Sequence, residues 1–387
     1  MKVTVSCAGR FHAYDMSAQF QRMGILHHLI TSYPKQMVTR FGINNNNVTS
    51  LILWEMINRG VSKWKSFSGM NGCQFQPMIN DLFDMMAVRH LSPETNIYIG
   101  WSSKSERGLI KAKSIGAKTI LERGSSHILY QTEILTEEFR RYSMDPKKCF
   151  THPKVIEKEI REYEMADYIS VPSEFARLSF IEKGFPDSKI IKNPYGVNLS
   201  QFKPGYKKDD VFRVIFVGQM SLRKGVHYLL EAFDKLKLHK AELILVGART
   251  PEIEPYFEKY KNTYTYLGVK PQSELMHYYQ QSTVFVICSI EEGLAMVQFQ
   301  AMASGLPLIC TVNSGGEDLI EHGREGFVVP IRSVEAVCEK IQWMYDHQNE
   351  AREMGVRARN KVALGFSWQD YGNRYLDFLN TIHVPKA

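Results

Sequence analysis

The sequence predicts an α/β protein made of two doubly wound parallel-sheet domains. Short β-rich runs alternate with longer helical patterns along nearly the whole chain. The runs are close to continuously apolar, as strands covered on both faces require. At 387 residues the chain also exceeds ordinary single-domain size, so two cores and a cleft between them are expected.

In the first half the strand-like runs are KVTVSC, ILHHLITSY, NIYIGW, KTILERG and YISVPS; in the second they are FRVIFVG, AELILVG, TVFVICS, LPLICT and GFVVP. Between the two sets lies NPYGVNLSQFKPGYKKDD, residues 193–210, which is rich in Pro, Gly, Asn and charge and has no sustained period. That composition marks a hinge. The expected division is a first Rossmann-like domain over residues 1–200 and a second over 201–365. After GFVVP the pattern gives a helix from Val334 to Tyr345 and another from Glu350 to Lys361. In the closing segment Phe366, Tyr371, Tyr375 and Phe378 recur at approximately helical spacing.

With 44% apolar and 23% charged residues the composition is that of a soluble globular protein. No apolar run reaches the roughly eighteen residues that span a bilayer. The N-terminal MKVTVSCAGRFHAYD lacks the long apolar region of a signal peptide, so a cytoplasmic location is expected. The six cysteines (Cys7, Cys73, Cys149, Cys288, Cys310, Cys338) form no C-x-x-C pair and have no histidine at zinc spacing. Neither a metal site nor a disulfide framework is indicated. Cys7, Cys288 and Cys310 end strand-like runs and read as buried, inert thiols.

The formal charge is +7, and the basic excess falls within residues 1–204. Such a face suits a phosphorylated substrate or an anionic membrane surface. The interleaved aromatic and basic pattern of a nucleic-acid module is missing, so nucleic acid is not an expected partner.

Ligands of open α/β sheets lie beyond the carboxyl ends of the strands, which directs attention to the loops there. After FRVIFVG comes QMSLRKGVHYLLEAF, in which Gly218 closes the strand and Arg223-Lys224-Gly225 opens an amphipathic helix. Two cations beside a helix N-terminus suit a diphosphate, since side-chain charge and helix dipole act on the same anion. A solvated basic pair near a turn is the plain alternative. The loop matches neither G-x-G-x-x-G nor G-x-x-x-x-G-K-[ST], which argues against a Rossmann dehydrogenase or a P-loop nucleotidase.

After TVFVICS, Glu292-Gly293-Leu294-Ala295 forms a turn and Met296 to Ser304 a helix, ended by Gly305 and stopped by Pro307. Its free N–H groups suit phosphate oxygens while Glu292 accepts from sugar hydroxyls. Gln300, on the face shared with Met296 and Ala303, reaches a second set of hydroxyls or is simply a solvated polar residue.

Gly218 to Gly225, the Glu292-x7-Gln300 element, SGLPLICTVNSGGEDL, HGREGFVVP and PYGVN together resemble a retaining glycosyltransferase of family 4, in the glycosyl transferases group 1, with the two-domain GT-B fold. The likeness is dense over residues 165–370. It implies metal-independent transfer of a hexose-type sugar from a nucleotide-diphosphate sugar, with retention, to a glycan, lipid-linked or other cell-envelope acceptor in polysaccharide biosynthesis. No cofactor beyond the donor is implied. Arg223 and Lys224 would meet the diphosphate, Glu292 the donor sugar, Gln300 the ribose diol and the loop around Val269 the base. Gly293, Leu294, Ala295 and Met296 would complete the donor side. The first domain would take the acceptor, and the closing helix, residues 366–387, would cross back to it, carrying Phe366 to Leu379.

The chain departs from the family at Gln300, where glutamate is usual, and at Gln219, where arginine is usual and Arg223 fills the gap. The family's glycine pair after the first strand is reduced to Gly9, with Arg10 and His12 as substitutes. His127 in LERGSSHILY follows a strand, where family members place a histidine near the reacting centre; the alternative is a structural histidine.

Retaining transfer without a nucleophile implies a front-face reaction in which the leaving phosphate accepts the acceptor's proton. Catalysis then rests on stabilising the developing diphosphate charge and on holding the acceptor in line. No D-x-D occurs. Two other readings stand beside this one: a non-catalytic sugar-nucleotide-binding protein of the same fold, suggested by Gln300, and a peripheral scaffold binding anionic lipid. LILWEMINRGVSKWKSF combines apolar residues with Arg59, Lys63 and Lys65, which predicts peripheral contact with the inner face of the cytoplasmic membrane; a partly buried helix with a basic end is the plain alternative.

Overall fold

A computed structural model describes residues 1–68, 74–146 and 151–382, without the side chains of 62–68. Cys73, Cys149, the side chains of Lys63 and Lys65, and residues 383–387 of the closing segment lie outside the described residues.

The first sheet holds β1 (Val3–Cys7), β2 (Leu26–Thr31), β3 (Val48–Ser50), β4 (Ile97–Trp101), β5 (Lys118–Glu122), β6 (Tyr168–Val171) and β7 (Ile190–Lys192), in the order β3-β2-β1-β4-β5-β6-β7. The second holds β8 (Phe212–Val217), β9 (Ala241–Val246), β10 (Thr265–Tyr266), β11 (Val284–Ile287), β12 (Leu308–Thr311) and β13 (Gly326–Val329), in the order β10-β9-β8-β11-β12-β13. Every pairing is parallel. The register sets Val5 opposite both Leu29 and Ile99, and Ile215 opposite both Ile244 and Phe285. Val5, Leu29, Ile99, Ile215 and Phe285 are fully buried and Ile244 partly so, under the helices that cover the sheets. All ten anticipated strands form. The three others, β3, β7 and β10, are two- or three-residue strands and lie at sheet edges, where only one neighbour is needed.

Both orders have a switch point, where successive crossovers leave in opposite directions and open a crevice at the carboxyl ends. In the first sheet it lies between β1 and β4; in the second it lies between β8 and β11.

Two chain crossings join the domains side by side: Val197 N–H donates to Phe366 O at 2.8 Å, and Val197 bridges Ser367. A capping box at Ser367 and Asp370 then starts the helix Trp368–Thr381. It lies on the helix Ala13–Arg22, burying Tyr371 and Tyr375 and placing the Tyr375 hydroxyl on Glu122 Oε1 at 2.8 Å. Phe366 behaves differently from the rest of the segment. Its ring packs on Phe299 of the second domain at 5.6 Å, so the crossing begins at Ser367.

The helix Ile128–Arg141 of the first domain docks along the second domain. Its buried Glu138 accepts from His227 Nε2 at 3.1 Å, the Tyr228 hydroxyl at 2.8 Å and Arg332 Nε at 2.7 Å. Cys7, Cys288 and Cys310 are buried and free, and burial pushes the Cys288 and Cys310 thiols up to about 12, the condition of an inert thiol.

Candidate functional site

The second domain's switch point gathers two loops. The loop after β8 runs from Gly218 to Gly225 and feeds the helix Val226–Leu236; the loop after β11 runs from Cys288 to Ala295 and feeds the helix Met296–Ala303. Ile290 N–H donates to Arg223 O at 2.8 Å, fastening one loop to the other. Gly225 is required between them: its φ is +64°, and a Cβ there would lie 1.8 Å from Cys288 O.

Four charged side chains meet where the loops touch. Arg223 Nε donates to Glu291 Oε2 at 2.8 Å, Arg223 Nη2 lies 3.6 Å from Glu292 Oε1, and Lys224 Nζ pairs with Glu292 Oε2. Burial first and Arg223 second pull the Lys224 pKa down, while Glu291 acts the other way. Glu291 is fully buried. Besides Arg223 it accepts from Ser125 Oγ at 2.7 Å, Ser126 N–H at 3.1 Å, Ser126 Oγ at 2.7 Å and Gln131 Nε2 at 2.7 Å. Burial alone would raise its pKa, but Arg223 and these donors outweigh burial and hold it down to about 2.

Ser125, Ser126 and Gln131 belong to the first domain, so the cluster is completed across the interface. Gly293 makes the close approach possible, because a Cβ there would fall 2.2 Å from Gly124 O. Its carbonyl accepts from Ser173 Oγ, again from the first domain. The turn that was expected to admit a ligand's approach is thus occupied by the loop after β5, and Leu294 and Ala295 are buried behind it.

A larger cleft of about 740 Å³ opens beside this cluster, between the domains. Arg10, Met296 and Gln300 line it, together with Gln272, Asn198 and Trp368. Gln300 is 7% exposed and accepts from the Tyr279 hydroxyl at 3.2 Å, so it is fixed in the cleft wall and is not a solvated helix residue. Arg10 holds its guanidinium over the Phe41 ring at 5.2 Å. Gly9 has φ +118° and joins β1 to this rim; Gly218, with φ +152°, closes β8. Val269 is 72% exposed.

Two histidines turn away from the cleft. His127 is 2% exposed and sits among Tyr163, Phe180 and Phe185, with ring centroids 4.9–5.6 Å apart. Its Nδ1 accepts from Leu129 N–H at 3.2 Å, capping the helix Ile128–Arg141, and burial pushes its pKa down to about 4. This corrects the catalytic assignment: the loop offers the second domain Gly124, Ser125 and Ser126, while the imidazole faces the aromatic core. His12 is 4% exposed; its Nε2 meets Glu122 Oε2 at 3.1 Å and its ring lies against Tyr195 at 4.5 Å, so Arg10 alone of the two substitutes lines the cleft.

Sequence reasoning missed Glu291, Ser126 and Gln131 as members of the cluster. Their signal was present in the acidic pair of EEG and in the GSS after a strand, but which carboxylate of a pair turns inward is decided by the partner loop 165 residues away.

Residues 199–361 match the family described as Glycosyl transferases group 1. The putative colanic acid biosynthesis glycosyltransferase WcaL of Salmonella typhimurium is 27% identical over 51% of this chain and 53% of that protein. The GDP-mannose-dependent alpha-(1-6)-phosphatidylinositol monomannoside mannosyltransferase of Mycobacterium tuberculosis is 24% identical over 55% of this chain and 61% of that protein. The matches with WcaL span about half the length of that relative. Among solved structures, Anabaena Alr3699/HepE in complex with UDP and glucose superposes with a TM-score of 0.71 at 14% identity, over 99% of this chain and 100% of that one. The architecture is the GT-B fold, and residues 199–361 are similar to the glycosyl transferases group 1 family.

Proposed function

We propose that the protein is a retaining hexosyltransferase that moves a sugar from a nucleotide-diphosphate sugar to a cell-envelope acceptor. The observation that carries this reading is the meeting of Arg223, Lys224 and Glu292 at the second domain's switch point, next to the helix Met296–Ala303 and a cleft lined by Gln300. Arg223 and Lys224 take the diphosphate, and Glu292 exchanges Lys224 for the hydroxyls of the donor sugar. Gln300 keeps its oxygen on Tyr279 and turns its amide hydrogens to the ribose. The bond between the anomeric carbon and the diphosphate oxygen breaks as the acceptor oxygen bonds to the same face, and the acceptor's proton passes to the departing phosphate. Cations fixed before the reaction stabilise that phosphate without reorganising.

The names of the relatives and of the solved complex suggest UDP- and GDP-sugars as the first donors to try. Peripheral membrane contact through the first domain fits the same reading. Leu53 and Met56, 62% and 65% exposed, lie near Arg59 on the helix Ile52–Ser68, and no helix among the described residues is long and apolar enough to cross a membrane.

The test is mass spectrometry of products after purified protein meets a panel of nucleotide sugars and cell-envelope acceptors. A product heavier than an acceptor by one hexose residue supports the reading. Donor binding with no product from any pair would favour a non-catalytic sugar-nucleotide-binding protein, and vesicle binding without donor binding a lipid-binding scaffold.

A further inference from the structure

The first domain has its own switch-point pocket, of about 210 Å³. Ala8, in the loop after β1, and Lys104, in the loop after β4, line it from the sheet side. Trp54 and Asn58 of the helix Ile52–Ser68 and Ile79 and Asn80 of the helix Gln76–Ala87 form the opposite wall. Trp54 is held in place by donating its indole N–H to Ile79 O at 2.8 Å.

Lys104 is half-buried here, and among the described residues its ammonium bonds only to Ser103 Oγ, at 3.4 Å, with no carboxylate within ion-pair distance. The segments outside the described residues contain no Asp or Glu side chain to supply one. Other buried cations of this domain are paired: Lys158 with Asp81 at 2.6 Å and Asp84 at 3.3 Å, Arg123 with Glu159 at 2.9 Å. Glu159 and Glu162 act on Lys104 only from beyond ion-pair distance, so a counter-ion in direct contact with its ammonium would have to come from outside the chain. Desolvation lowers its pKa, which an arriving anion would reverse. Asn58 and Asn80 make no side-chain hydrogen bond among the described residues, leaving two amides to donate and accept beside the ammonium.

We propose that this pocket binds an anionic group of the acceptor, a phosphate or carboxylate, with Lys104 as its counter-ion and Asn58 and Asn80 as its hydrogen-bonding partners. The inference rests on the protein being a sugar transferase whose acceptor enters the first domain. Ala8, which lines this pocket, is two residues from Arg10, which lines the interdomain cleft. Its volume suits one charged group or one sugar ring, with the remainder of the acceptor outside.

Calorimetric titration with inorganic phosphate and with glucuronate tests this, on the parent protein and on Lys104→Gln, Asn58→Asp and Lys224→Ala. Because phosphate also fits the diphosphate site, Lys224→Ala isolates the new one. At least one of the two anions should bind the parent and Lys224→Ala, at least tenfold more weakly to Lys104→Gln and Asn58→Asp. The half-buried Asn58 is replaced by an isosteric residue, so the test survives if Lys104→Gln fails to fold. Glycerol phosphate or phosphatidylglycerol vesicles competing with the bound anion would distinguish a soluble from a lipid-borne source. Equal binding to parent and Lys104→Gln, or no binding of either anion to the parent, would overturn the proposal. Nucleotide-sugar binding should be unchanged in Lys104→Gln, so a failed donor assignment would be read separately from a failed anion site.

Discussion

Ser125 Oγ, in the first domain, donates to Glu291 Oε1, in the second, at 2.7 Å, while the other oxygen of the same carboxylate takes Arg223 Nε at 2.8 Å. One buried group thus both closes the domains on each other and fixes the cation proposed for the diphosphate. Closure and charge placement are therefore one event.

Glu291→Gln should loosen that closure. The substitution leaves Arg223 its second partner, Glu292, but takes the carboxylate from Ser125, Ser126 and Gln131, a loss of about 1–3 kcal/mol. The carboxyl's pKa falls from its ordinary 4.5 to about 2 on folding, so its contribution is complete above pH 4.5 and is lost as pH falls through about 2. Small-angle scattering should show the parent expanding in that acid range and the variant already expanded at neutral pH. Identical profiles would remove Glu291 from the latch.

Gln300 gives a second prediction. Gln300→Leu leaves both the Tyr279 hydroxyl and the ribose without a partner, and should weaken nucleoside diphosphate binding by about 1–3 kcal/mol. Gln300→Glu keeps an acceptor for Tyr279 and should bind equally or more tightly. Calorimetry with UDP and GDP measures both; unchanged affinity in Gln300→Leu would end the ribose assignment.

His127 should matter for stability and not for turnover. Its pKa drops from 6.5 to about 4 on folding, so the unfolded chain takes up the proton first and stability declines as pH falls from about 6.5 to 4. His127→Asn retains a capping side chain and should flatten that stretch of the urea-denaturation profile by about 1–3 kcal/mol. A hundredfold loss of activity in the folded variant would return the histidine to the reacting centre.

The ten long strands were legible because a strand buried on both faces needs an unbroken apolar run, and no other element of that length does. VTS, IIK and TY were not: two or three residues carry no period, and their pairing depends on the neighbouring strand. Arg223, Lys224, Glu292 and Gln300 could be singled out from their places after strands, since topology sends those loops to one crevice. The directions of His127 and His12 could not, because a loop residue has no periodicity to say which way it faces. Tyr163, Phe180 and Phe185, folded over from later in the chain, settle His127. Lys104 gave no motif at all; its interest arises from the lack of a carboxylate at ion-pair distance, which only the fold decides.

Membrane contact should depend on the exposed side of the helix Ile52–Ser68. Replacing Leu53 and Met56 by serine removes two apolar side chains from that face and should lower co-sedimentation with anionic vesicles severalfold at low ionic strength. No co-sedimentation of the parent under those conditions would dismiss the contact.

The most direct measurement is acceptor-dependent release of nucleoside diphosphate from a nucleotide sugar, followed in the parent and in Lys224→Ala. Lys224 contacts Glu292 at the meeting of the two loops, and Arg223 Nη2, 3.6 Å from the same carboxylate, remains to balance it, so the variant should still fold. The account predicts release that requires acceptor in the parent and is slower by roughly a hundredfold or more in the variant, about 3 kcal/mol of lost transition-state stabilisation. Near-parental release by folded Lys224→Ala, or none by the parent with any donor and acceptor, would contradict it.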